Sequence, residues 1–70
     1  MATHDTNIVY DYGISRVVAA GLEVIVQIKA GNGWKDVRSF NRMSDDYAFT
    51  NARDEALYRA ARSARPDSGN

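Results

Sequence analysis

Residues 22–30 read L-E-V-I-V-Q-I-K-A. Leu22, Val24, Val26, Ile28 and Ala30 fall on one side of a pleat, and Glu23, Ile25, Gln27 and Lys29 on the other. Alternation of period two, rich in β-branched side chains, is the pattern of a strand with one apolar side. This run is expected to form the central strand of a small sheet, and the rest of the chain is read around it.

Downstream comes A-G-N-G-W over residues 30–34. Asn32-Gly33 between two extended segments predicts a two-residue turn, because such turns need positive φ at both central positions. The pairing then follows by counting. Ile28 meets Val37 and Val26 meets Ser39 on one face; Lys29 meets Asp36, Gln27 meets Arg38, Ile25 meets Phe40 and Glu23 meets Arg42 on the other. Opposite charges and an apolar pair come together in one register, and a slip by one residue would separate them all.

Upstream, residues 7–19 are expected to run as a single strand into a three-residue loop, Ala19-Ala20-Gly21, with Gly21 left-handed. Val18 then faces Leu22, Ile14 faces Val26, Tyr12 faces Ile28 and Tyr10 faces Ala30, with Asp11 beside Lys29. Arg16 is the misfit, opposite Val24 on the apolar side. Gly13 marks a bulge. Two helical turns over residues 14–20, ended by Gly21, are the alternative.

From Ala48 onward the period changes. Phe49, Ala52, Ala56, Leu57, Ala60, Ala61 and Ala64 recur at three- and four-residue spacing, the pattern of an amphipathic helix. Ser44 and Thr50 are candidate N-caps, with Asp45 and Asp46 in a first turn that favours negative charge. Glu55 precedes Arg59 by four residues. Arg62 and Arg65 suit the last turn, and Pro66 ends the helix. The buried stripe is mostly alanine, so Phe49, Leu57 and Tyr47 are expected to anchor it. The expected fold is α+β: a three-stranded antiparallel meander with one C-terminal helix packed on one face, β-β-β-α. One domain spans residues 7–65, between disordered ends at 1–6 and 66–70.

Composition narrows the chemistry. Seventy residues make one small domain, and a core of that size leaves little stability to spare. The chain has no cysteine, which removes disulfides and thiolate metal sites. Nine basic residues balance nine acidic ones, so overall charge gives no reason to expect nucleic acid or an anionic membrane. No apolar run approaches the roughly 18 residues of a membrane span, and no leader is expected, so a cytoplasmic setting is. Among catalytic candidates, His4 stands alone near the terminus, and Ser15, Ser39 and Ser44 have no histidine within patterned sequence. Asp45-Asp46 reads as helix-start chemistry rather than a cation site, which needs further oxygen ligands. No cofactor, no metal and no enzymatic reaction is expected.

What remains is surface. The sheet face away from the helix is expected to carry Val17, Ile25, Trp34 and Phe40 among Gln27 and Arg38. Aromatic residues and arginine are enriched at binding hot spots, and an apolar cluster rimmed by charge marks interaction surfaces. The leading expectation is a non-enzymatic protein-interaction module, with self-pairing into a homodimer as one use of this face. The alternative is a nucleic-acid-binding module that uses Arg59, Arg62 and Arg65, or the aromatic sheet face. Arg53 completes that arginine row, for which Asp54 and Glu55 supply countercharge.

Two resemblances accompany these readings. The β-β-β-α order with the helix text T-N-A-R-D-E-A-L-Y-R-A-A resembles the last four elements of a double-stranded-RNA-binding domain. That family places a lysine cluster at the start of its last helix, where this chain has Ser44-Asp45-Asp46. Residues 34–56, W-K-D-V-R-S-F-N-R-M-S-D-D-Y-A-F-T-N-A-R-D-E-A, are similar to short uncharacterised proteins of bacteriophages and prophages. That likeness implies an accessory protein that binds a host or phage component.

Overall fold

The computed structural model describes residues 7–64. The helix is where the spacing puts it, but the sheet has four strands rather than three. In chain order they are β1 (Asn7–Asp11), β2 (Ser15–Ala20), β3 (Glu23–Ala30) and β4 (Gly33–Asn41), followed by α1 (Ala48–Ala64). The strands form one antiparallel sheet in sequence order, β1-β2-β3-β4. The α+β class and the C-terminal helix are as expected. The expected ends at residues 1–6 and 66–70, together with His4 and Arg65, lie outside the described residues.

The extra strand comes from a break that the single-strand reading missed. The Asp11 carboxylate accepts a hydrogen bond from the Gly13 backbone N–H at 2.9 Å, and Gly13 has a φ of +88°. An Asp two residues before a left-handed Gly closes a turn locally, without help from the rest of the fold. Tyr12 N–H then donates to the Ser15 carbonyl at 2.9 Å, and the chain reverses.

The next turn is also shorter than expected. Ala20 pairs with Glu23, so Gly21 and Leu22 form a two-residue turn with Gly21 at φ +63°. Gly21 is left-handed as predicted, but it opens the turn rather than closing it. Partner sums change by three, an odd number, and so β2 presents its other face. Arg16 thereby leaves the apolar side and stands opposite Gln27, while Val17 meets Val26 beneath the helix. Leu22 is left in the turn and exposed.

The third turn uses Gly31-Asn32 instead of Asn32-Gly33: Ala30 pairs with Gly33, and Gly31 has a φ of +58°. Lys29 therefore meets Trp34, and Gln27 meets Asp36. At Val37 the strand carries one extra residue, so that Val26 meets Arg38 and Val24 meets Phe40. The expected pairs Lys29–Asp36, Gln27–Arg38, Ile25–Phe40 and Glu23–Arg42 do not form. Val37 and Phe40 both pack against the core although they are three residues apart. Regular alternation would put them on opposite faces; the bulge puts both under the helix.

The core is small and made of small side chains. Val17, Val24, Val26, Ala48, Ala52 and Ala56 are buried, with Tyr10, Tyr12, Val37, Phe40 and Phe49 packed against them. Alanine lets α1 lie close on the sheet. Ser15 shows how close: its hydroxyl, fully enclosed, donates to the Ala56 carbonyl at 2.6 Å. A buried hydroxyl needs such a partner. Phe49 anchors the helix as expected. Leu57 and Tyr47 do not, being 44 % and 69 % exposed.

Neither Ser44 nor Thr50 caps the helix. The Asp45 carboxylate accepts from the Tyr47 N–H at 2.9 Å and from the Asn51 side-chain amide at 3.0 Å. Asn41 makes the preceding bend, accepting from Met43 N–H through its side chain.

Candidate interaction surface

The structure divides the predicted interaction residues between the two faces of the sheet. Val17 is wholly buried beneath α1. Phe40 packs against that same core, and Arg38 approaches Glu55 of the helix at 3.9 Å. These three belong to the covered face, and the reason is parity: the shift at Gly21-Leu22 turns Val17 inward, and the bulge at Val37 does the same for Arg38 and Phe40. Ile25, Gln27 and Trp34 remain on the face away from the helix.

Sequence reasoning missed the side chains that join them there. Cross-strand partners share a face, so Ile25 stands in a row with Val18 and Ile8 across β3, β2 and β1. A bulge between Ile8 and Tyr10 makes this possible, because it leaves Ile8 on the open face and turns Tyr10 toward the core. Val18 is buried within this row, and Ile8 is 54 % exposed.

Beside the apolar row runs a polar one. Arg16 Nε donates to Gln27 Oε1 at 2.8 Å, and Gln27 Nε2 donates to Asp36 Oδ1 at 2.7 Å. The Arg16 guanidinium lies 4.0 Å from the centre of the Trp34 ring, with Lys29 Nζ at 5.9 Å. The cation over the ring restrains the indole, and the relay through Gln27 restrains the cation in turn. The signal for this cluster was Arg16 itself, the residue that did not fit the expected register.

The arginines of α1 are partly committed. Arg59 Nε pairs with Glu55 Oε2 at 2.7 Å, the bridge expected from their spacing. Arg53 pairs with Asp54 at 3.2 Å. Arg62 donates to the Tyr58 hydroxyl at 2.8 Å and lies over that ring. Among the described residues, no three His, Cys, Asp or Glu side chains are grouped to hold a metal ion. No helix there is long and apolar enough to cross a membrane. No protein-family model, curated protein or solved structure gives a significant match to the chain.

Proposed function

We propose that this chain is a non-enzymatic protein-interaction module, and that its working surface is the sheet face away from α1. One observation carries the reading. A four-stranded sheet carries a single helix on one face, and the other face presents Ile8 and Ile25, with Val18 buried between them, beside a Trp34 ring stacked with Arg16. An apolar strip flanked by an ordered aromatic–arginine pair is the composition of a protein-binding hot spot. Rigid aromatic area binds with little loss of side-chain entropy. The partner class in this reading is a host or phage protein, the setting that a phage-protein resemblance of residues 34–56 would imply, and the compartment proposed with it is cytoplasmic. A second copy of the chain, paired face to face, is the simplest partner to test.

The experiment combines light scattering over a range of concentrations with capture on immobilised chain, for the parent, Ile25→Ser and Trp34→Ala. Both variants are expected to keep the parent circular dichroism spectrum and to lose self-association or capture. Retention of both by folded variants would remove this face from consideration.

A further inference from the structure

The charges of this neutral chain are not evenly spread. Glu23, Asp45 and Asp46 outnumber Arg42 toward the end that carries the Gly21-Leu22 turn and the start of α1. Lys29, Lys35, Arg59 and Arg62 lie toward the other end, around the Gly31-Asn32 turn and the last turns of the helix, where together with Arg16 they outnumber Asp11 and Asp36. At that basic end a pocket of about 360 Å³ opens between the sheet and α1, lined by Ile28, Tyr58, Arg59, Arg62 and Ser63. Lys35 stands opposite Ile28 on β4 and therefore shares its face.

The two guanidinium groups are held in place. Glu55 fixes Arg59 through Nε, and no other partner for its terminal nitrogens occurs among the described residues. Arg62 is steadied by the Tyr58 hydroxyl at 2.8 Å and by the ring, whose centre is 5.5 Å away. No carboxylate pairs with Arg62 among the described residues. The helix dipole accounts for a cation in the last turn. It does not account for a pocket between that cation and the sheet, nor for Lys35 on the strand beside Ile28.

We propose that this corner binds a phosphate monoester carried on a small organic body. Arginine suits the charged end, because its planar fork matches phosphate oxygens and each charge-assisted bond is stronger than a neutral one. The hydroxyl of Ser63 adds a donor. Ile28 and the Tyr58 ring supply apolar wall for the body, and the volume is at the lower end of the range for small-molecule sites, roughly 300–1,000 Å³. The site lies on the helix side of the sheet and does not depend on the face proposed for protein contacts.

Amide and arginine side-chain NMR of the ¹⁵N-labelled chain, titrated with adenosine monophosphate at low ionic strength, tests this directly. Adenosine, sodium chloride at matched ionic strength and a short single-stranded oligonucleotide are the comparison titrants. Adenosine monophosphate is expected to give saturable shifts at Ile28, residues 58–63 and the Arg62 Nε, weakened about tenfold by Arg62→Gln. Lys35→Gln, on the sheet and remote in sequence, is expected to weaken binding as well, while Arg42→Gln at the other end leaves it unchanged. Equal shifts with chloride or with adenosine would overturn the proposal, as would an unaffected Arg62→Gln chain with a native spectrum. Tighter binding of the oligonucleotide, with a steep fall as salt rises, would overturn it in favour of nucleic acid.

Discussion

β2 and β3 pair residue for residue from Ser15–Ile28 to Ala20–Glu23, whereas β1 and β4 each carry one extra residue against their neighbours. The central pair supplies the enclosed valines, Val17, Val24 and Val26, under Ala52 and Ala56. The outer strands supply larger, half-buried rings, Tyr10 and Phe40, which close the core from the sides. The difference follows from what each strand must satisfy. A central strand has partners on both edges and a register to keep with each. An outer strand has a free edge, and a bulge there can turn a side chain inward and twist the edge away from pairing with other chains. In this molecule the bulges do the first job visibly: Val37 joins Phe40 at the core, and Ile8 is separated from Tyr10.

The sharpest way to break this comparison is at its centre. Val26→Ala, beneath a helix that cannot settle further onto the sheet, is expected to cost about 2–3 kcal/mol. In a domain this small each kcal/mol lowers the melting temperature by roughly 4–8 °C; an unchanged melt would mean that the central pair is not the core. Ser15→Ala removes the donor to Ala56 while leaving that carbonyl within a helix, so urea unfolding is expected to show a loss of about 1 kcal/mol. Ser15→Thr, which keeps the hydroxyl but adds a methyl group at a wholly enclosed position, is expected to destabilise by overpacking instead. Leu57→Ala separates a core position from a rim position. With the side chain 44 % exposed, the expected loss is below about 1 kcal/mol, not the 2–4 kcal/mol of a buried anchor. Deletion of Val37 is read in association rather than in stability, because it also removes a side chain packed against the core. The pairs from Val26–Arg38 onward can persist in a regular ladder, and the gain is expected in concentration-dependent mass by light scattering, because the straightened edge of β4 becomes available to another chain.

The candidate surface was legible in part, and the pattern of hits is informative. Ile25, Gln27 and Trp34 were placed together because two of them sit on β3, whose own alternation is strict, and Trp34 follows a turn that shifts by an even count. Val17, Arg38 and Phe40 were misplaced because each lies beyond an odd shift, at Gly21-Leu22 or at Val37. Once parity changes, residues further along are assigned to the wrong face until the next break restores it, as it does at Tyr10. Arg16 was hidden by the shift at Gly21-Leu22, and Ile8 by the missed break at Gly13 and the bulge before Tyr10. The helix reading erred in a different way: periodicity gave the stripe, but Leu57 lies at its margin, where a few tens of degrees of helix rotation decide between core and groove.

The sequence by itself determined the strand at residues 23–30, the helix to within its caps, the left-handed Gly21 and the Glu55–Arg59 bridge. These rest on interactions between near neighbours, and near neighbours are written in order along the chain. The break between β1 and β2 was also local, written in Asp11 and the left-handed Gly13; only the tertiary structure decided that Gly31-Asn32 rather than Asn32-Gly33 makes the turn, and that the outer strands bulge. Each of those alternatives is locally acceptable. Placing Tyr10, Val37 and Phe40 under the alanine stripe of α1 selects among them, and that gain exists only when the whole sheet and the helix are assembled.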